Sequence, residues 1–296
     1  LVNISFLCEN YNKISRGAET FVGELSKKLI SLGHEVTIYK NIFGGINKNT
    51  NVLISTNGRL DAILARFWCM FHGKKLIIPG QSGFGWDDKL NLWVFPDVFV
   101  GLTQYQCDWA HKINPYVKVV KIPNGVDLDK FNPKNKPLKI DKPKPVILCV
   151  GAVKTSKIGE ISKRQKLLIS ATKTITASVL LVGIGGDVEY KHDEMPSVYT
   201  ACDLFSYPTS ERESFGIAML EAMASGLPVV TTNDPIRREI VGDAGLFVDP
   251  TDTAKYTQAL DRALLIKWGD KPRLQAEKFS WDKIAKLYED ICNNNI

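Results

Sequence analysis

Short apolar runs alternate with amphipathic stretches along almost the whole chain, and this alternation restricts the fold more than any other feature. VNISFLC (2–8) reads as a short buried strand. Ala18 to Leu32 then carries Phe21, Val22, Leu25, Leu29 and Leu32 at three- and four-residue spacing, which makes one apolar helix face. Gly33 supplies a stop signal, and HEVTIYK (34–40) reads as the next strand. Strand, helix and strand form a βαβ unit. The pattern continues with strands at VLIS (52–55), KLIIP (75–79), VFVGL (98–102) and VKVVKIP (117–123), and helices over 60–71 and 104–112. Alternation of this kind predicts a parallel sheet with helices on both faces.

Residues 132–145, NPKNKPLKIDKPKP, interrupt the pattern with four prolines and five lysines and read as an exposed linker. Alternation then restarts. Strands are expected at VILCVGA (146–152), SVLLVG (178–183), DLFSYP (203–208) and LPVVTT (227–232), with helices over 163–173, 215–225, 252–267 and 281–292. The fold class is therefore α/β, with two Rossmann-like doubly wound domains. A chain of 296 residues has room for two such cores without metal or disulfide staples.

The six cysteines, Cys8, Cys69, Cys107, Cys149, Cys202 and Cys292, are far apart and form no CxxC, so buried reduced thiols are expected. No apolar run reaches the roughly 18 residues of a spanning helix. No charged n-region precedes an apolar h-region, although the chain starts at Leu1 rather than Met. Residues 1–141 hold 18 Lys+Arg against 12 Asp+Glu, whereas 142–296 hold 20 of each. The first half thus carries all the excess positive charge. It suits a solvated basic surface, or contact with an anionic membrane or acidic substrate. The expected location is cytoplasmic, with peripheral contact at the inner membrane face as an option.

In open α/β sheets ligands bind at the carboxyl ends of strands, near helix N-termini. In SYPTSERESFGIAMLEAMASGLPVVTT, Glu213 and Glu221 stand eight positions apart, which would put both carboxylates roughly on one helix face. Ser214, Phe215 and Gly216 fall at the helix start, where backbone N–H groups can bind an anion. A carboxylate two turns down can accept hydrogen bonds from a diol, and one at the entrance can do so for a second polyol. An anion between two sugars is the shape of a nucleotide sugar. Spacing alone leaves an ordinary amphipathic helix with solvated glutamates as the competing reading.

The surrounding residues favour the first. ESFGIAMLEAMASGLPVV closely resembles the Glu-x7-Glu signature of the retaining glycosyltransferases of family 4, which have the GT-B fold. RGAET (16–20) looks like the family's glycine loop, and IPNGVDLDKFNP (122–133) like its interdomain segment. KRQKLLISA (163–171) resembles its lysine-bearing helix start. MPSVYTACDLFSYPTS (195–210) and REIVGDAGLFVDP (238–250) match the flanks of the motif. FSWDKIAKLYEDI (279–291) looks like the final helix, which in this fold crosses back to the first domain.

The resemblance implies two domains facing across a cleft: 1–141 on the acceptor side, 142–280 holding the donor, and 281–296 returning to the first domain. It implies that Glu221 holds the donor ribose and Glu213 the transferred sugar. Ser214, Phe215 and Gly216 would present backbone groups near that sugar and the phosphates. Lys163 would neutralise the diphosphate, a task that suits a compact charge. Arg164 is its neighbour and a weaker candidate. Gly17 matches the loop glycine that approaches the diphosphate, where a Cβ would intrude. The implied activity is retaining transfer from a nucleotide-diphosphate sugar to a glycan, lipid-linked or small-molecule acceptor. No cofactor or metal is expected, since no Asp-x-Asp or His/Cys cluster stands in the sequence. No nucleic-acid partner is expected.

The chain departs from the family pattern in three places. Ala152 stands where an arginine is frequent, with Lys154 or Lys157 as substitutes. GQSGFGWDD (80–88) lacks the family's first-domain histidine, leaving Gln81, Ser82 and Asp87 as polar replacements on the sugar side. The segment 183–195 is short. His72, His111 and His192 read as structural or exposed. Trp86, Trp93, Tyr105 and Trp109 could stack on a sugar or contact lipid, core packing being the commoner fate. These departures motivate an alternative, a non-catalytic nucleotide-sugar-binding protein. A nicotinamide-dependent oxidoreductase is disfavoured because no G-x-G-x-x-G follows the first strand.

Overall fold

The computed structural model describes residues 1–11, 17–151, 164–210 and 213–293. The chain divides into two compact units, Leu1–Gly125 with Trp281–Ile296, and Val126–Ser280. Each unit is built on its own parallel sheet.

In the first unit six strands, β1 (Asn3–Leu7), β2 (Glu35–Tyr39), β3 (Val52–Ser55), β4 (Lys75–Pro79), β5 (Val98–Gly101) and β6 (Val119–Lys121), stand in the order β2-β1-β3-β4-β5-β6. All pairs are parallel. Helices α1 (Gly17–Ser31), α2 (Leu60–His72), α3 (Trp86–Trp93) and α4 (Gln104–Ile113) connect them. The α1 stripe buries Phe21, Val22, Leu25 and Leu29 as its spacing requires. The core on that face is completed from the far end of the chain. A helix over Trp281–Cys292 buries Trp281, Ile284, Tyr288 and Ile291. Phe21 lies 6.1 Å from the Trp281 ring and 5.6 Å from that of Tyr288. Each such side chain contributes about 1.5–3 kcal/mol of burial. Gly125 allows the approach, because a Cβ there would meet the Trp281 ring at 2.5 Å.

The second unit carries β7 (Val146–Val150), β8 (Ser178–Val182), β9 (Leu204–Tyr207), β10 (Val229–Thr232) and β11 (Gly245–Val248) in the order β11-β10-β9-β7-β8, again parallel. Its helices are α5 (Gln165–Ala171), α6 (Met195–Thr200), α7 (Ile217–Ala224), α8 (Pro235–Val241), α9 (Thr253–Leu265) and α10 (Lys271–Ala276); the terminal Trp281–Cys292 helix is α11. Strand β7 has β8 on one side and β9 on the other, so the winding reverses between β7 and β9. Beyond the carboxyl ends of such strands an α/β sheet leaves a crevice for ligands. Residues 208–210 and 213–216, which follow β9, emerge there.

The lysine- and proline-rich segment does not behave as a free linker. Residues 126–141, which the sequence placed with the first domain, belong to the second unit. Many of their side chains are exposed, yet the backbone is tied down. Arg273 donates to the carbonyls of Phe131 at 2.7 Å, Ala224 at 2.8 Å and Leu128 at 3.0 Å. The Leu138 N–H reaches the Ser197 carbonyl at 2.9 Å. Composition reveals the exposed side chains but not these backbone anchors.

All six cysteines are buried and free. Burial pushes the thiols of Cys69, Cys202 and Cys292 up to about 12, which makes them inert at neutral pH. No helix among the described residues is long and apolar enough to cross a membrane.

Candidate donor site

Helix α7 is short and apolar on nearly every face. It buries Met219, Leu220, Ala222, Met223 and Ala224, and among them Glu221. A carboxylate in such a helix costs several kcal/mol unless its oxygens are hydrogen-bonded. Both are. The Tyr199 hydroxyl, from α6, donates to Oε2 at 2.8 Å. Nε2 of His192 lies 3.2 Å from Oε1. Burial, and then the Glu221 charge, push the Tyr199 hydroxyl well above its ordinary range, so it stays a donor. The Glu221 side chain keeps 10% of its surface open, enough for a ligand to reach it.

The expectation that Glu213 and Glu221 share one helix face is corrected. Helix α7 starts at Ile217, and Glu213 lies in the loop before it. The break is at Gly216, whose φ of 92° and ψ of 69° are left-handed. A Cβ there would meet Tyr207 Cε1 at 2.8 Å and Met219 Cε at 2.9 Å. The Glu213 N–H bonds the Ser210 carbonyl at 3.1 Å. Glu213 and Ser214 are half-exposed, while Phe215 is buried with its ring 6.3 Å from Phe279. No side chain caps α7 at Gly216. First-turn N–H groups have no intrahelical acceptor and carry partial positive charge. The loop therefore places one half-exposed carboxylate ahead of a donor-rich helix end, with a second carboxylate buried in the helix itself.

The loop is pinned from below. Arg237 on α8 is fully buried and donates through Nη2 to Thr209 Oγ1 at 2.9 Å and to the Ser210 carbonyl at 2.8 Å. Its Nη1 lies 3.4 Å from Asp234 Oδ2.

The remaining sequence candidates separate. Lys163, with Ala152, Lys154 and Lys157, lies outside the described residues. Arg164 stands just before α5 with φ 51°, and its charge helps to hold the Asp249 carboxyl below its usual range, chiefly lowered by Thr251. Gly17 is the exposed first residue of α1. In the first unit Gln81 exchanges two hydrogen bonds with Asn124, at 2.9 and 3.2 Å. Ser82 is exposed, and Asp87 accepts from Arg59 at 2.8 Å. Trp86 and Trp93 are exposed, Tyr105 half so, and Trp109 packs edge-on to Phe84 at 5.4 Å. Among the described residues no group of three His, Cys, Asp or Glu side chains is arranged to hold a metal ion.

His192 is a second correction. The sequence places it away from the site, whereas the fold sets it on Glu221. Tyr199, Lys130 and Arg237 also escape sequence reading. One signal was available: a glutamate inside IAMLEAMA must find buried partners, though the sequence does not say which.

Two parallel-sheet, Rossmann-like units with these sites at strand carboxyl ends define the fold of the GT-B glycosyltransferases. Residues 188–279, which hold Glu213 to Gly216 and Glu221, match the family model described as Glycosyl transferases group 1. The structure of a sucrose-phosphate synthase from Thermosynechococcus elongatus superposes with a TM-score of 0.78, at 15% identity over 99% of both chains. The Anabaena HepE protein, in complex with UDP and glucose, gives 0.72 at 15% identity, over 99% of this chain and 100% of that one. In sequence, 95 residues are 38% identical to O-antigen chain mannosyltransferase B of Escherichia coli, covering 30% of this chain and 25% of that protein. The matched stretch spans about a quarter of the length of the first curated relatives.

Proposed function

We propose that this chain is a glycosyltransferase that moves a sugar from a nucleotide-diphosphate sugar to a glycan, lipid-linked or small-molecule acceptor, with retention and without a metal. The observation that carries this reading is the local arrangement of 213–221. A half-exposed Glu213 and a left-handed Gly216 precede one helix N-terminus, and a buried, doubly bonded Glu221 lies in the second turn of that helix, inside the segment that matches a glycosyltransferase family model.

In this reading the Glu221 carboxylate accepts the two ribose hydroxyls and Glu213 accepts hydroxyls of the sugar being transferred. The N-terminus of α7 faces the diphosphate. As the bond between the anomeric carbon and the phosphate oxygen breaks, negative charge grows on the leaving diphosphate. Preorganised N–H dipoles and the proposed cation of Lys163 stabilise that charge without reorganising. The acceptor oxygen bonds the anomeric carbon on the same face, and its proton passes to the departing phosphate oxygen. No side chain need then act as a strong base. Support for a uridine donor comes from the HepE complex, whose fold this chain shares.

The test is sugar release from a panel of UDP-, GDP-, ADP- and dTDP-sugars. Turnover with at least one donor is expected, with the anomeric configuration of the product matching that of the donor. Nucleotide binding with no release from any donor in the presence of simple sugar acceptors and water would refute transferase chemistry.

A further inference from the structure

Lys130 lies on the tied-down segment that precedes β7, and its ammonium sits 3.0 Å from Nδ1 of His192. An ammonium has only protons to give, so Nδ1 must supply the lone pair. The ring proton of the neutral imidazole then stands on Nε2, the nitrogen 3.2 Å from Glu221 Oε1. Lys130 is itself held by Asp193, whose Oδ1 lies 2.7 Å from Nζ, and the His192 ring meets Phe131 edge-on at 5.7 Å. The direction of every proton from Lys130 through His192 to Glu221 follows from which groups can donate.

The consequence is a count of acceptor sites. A carboxylate offers about four lone-pair directions. His192 uses one on Oε1 and Tyr199 uses one on Oε2. One direction remains on each oxygen, the number a vicinal diol requires.

We propose that His192, set in its Nε2–H tautomer by Lys130, is a positioning residue that orients the Glu221 carboxylate for the diol of the nucleotide. The proposal rests on the reading of Glu221 as the ribose acceptor. Without His192, the Oε1 side of the carboxylate loses its fixed donor and rotates between alternatives, so the diol has to order it on binding. Removing Lys130 leaves the imidazole in place, with Nε2–H still facing the carboxylate, but frees Nδ1 to take up a proton, so the ring no longer presents one fixed donor pattern.

The experiment titrates UDP, GDP, ADP and dTDP calorimetrically into the wild type, His192→Ala, His192→Gln, Lys130→Met and Glu221→Ala, and records the imidazole nitrogen spectrum of His192. His192→Ala is expected to weaken the bound nucleotide about tenfold, the scale of one hydrogen bond to a charged group. His192→Gln, which keeps an N–H donor, recovers most of that loss. Lys130→Met falls between them, and its spectrum shows a proton on Nδ1 in a fraction of molecules where the wild type carries the proton on Nε2 alone. A role confined to packing would leave the spectrum of Lys130→Met unchanged and would give no rescue by glutamine. A wild-type spectrum with the proton on Nδ1 overturns the proposal whatever the variants do, including any that fail to fold. Wild-type affinity in His192→Ala, alongside loss in Glu221→Ala, overturns it while leaving the reading of Glu221 standing. Unchanged affinity in Glu221→Ala, or no binding of any of the four nucleotides by the wild type, overturns both.

Discussion

Arg237 Nη2 donates to the backbone carbonyl of Ser210 at 2.8 Å, so a fully buried guanidinium on α8 holds the loop that leads to Glu213. Arg237→Leu would remove the guanidinium from that carbonyl, from the Thr209 hydroxyl and from the Asp234 carboxylate, leaving the carbonyl its bond from the Glu213 N–H and the carboxylate its bond from the residue-237 backbone N–H. Removing one member of a buried charged network costs about 3–5 kcal/mol. Denaturant unfolding of the variant is expected to show a loss of that order, read from the transition of the second unit. A shift below about 0.5 kcal/mol would mean that the loop is held by other contacts.

Gly216→Ala tests the turn into α7. The left-handed backbone and the 2.8 Å approach to Tyr207 leave no room for a methyl group. The expected cost is about 1–3 kcal/mol of stability, with a larger proportional loss in sugar release, because Glu213 and the helix end are displaced together. Normal release at reduced stability would separate the turn from the chemistry.

In the first unit Asp88 is fully buried at the start of α3, bonded by Asn91 at 3.1 Å. Burial pushes its carboxyl up to about 8. The folded state therefore keeps a proton that the unfolded chain releases near its ordinary value of 3.8. The sign follows directly: the unfolded state binds fewer protons between about pH 4 and 8, so stability falls as pH rises through that window and is flat above it. Asp88→Asn should remove this slope. Denaturation midpoints measured at several pH values check it, and an equal slope in both proteins would place the proton elsewhere.

Transfer is expected to survive EDTA, because helix dipoles and a lysine are assigned the charge on the leaving diphosphate. Activity lost to the chelator and restored by Mg²⁺ or Mn²⁺ would overturn that assignment.

The elements most legible in the sequence are those whose cause is local. The apolar spacing of Phe21, Val22, Leu25 and Leu29 is enough to reveal α1, and VLIS and KLIIP coincide with β3 and β4. Short helices such as Trp86–Trp93 and Met195–Thr200 escape, because fewer than three turns carry too few apolar positions to set a period. At the site, Glu221 is legible as a charge in an apolar helix. The position of Glu213 is not, because the left-handed turn at Gly216 is enforced by Tyr207 and Met219 in the folded chain. His192 is hidden for the same kind of reason: its partners stand 29 and 62 residues away, and only the fold of the second unit brings Glu221 and Lys130 to its two nitrogens.

The most direct measurement of the central claim is nucleotide affinity in Glu221→Ala, taken by calorimetry with whichever of UDP, GDP, ADP or dTDP the wild type binds. Loss of a charged acceptor shared by two hydroxyls should weaken binding by about 1.5–3 kcal/mol, with the 2′,3′-dideoxynucleotide binding wild type and variant equally. Affinity equal to wild type for the natural nucleotide would contradict the donor site at its centre.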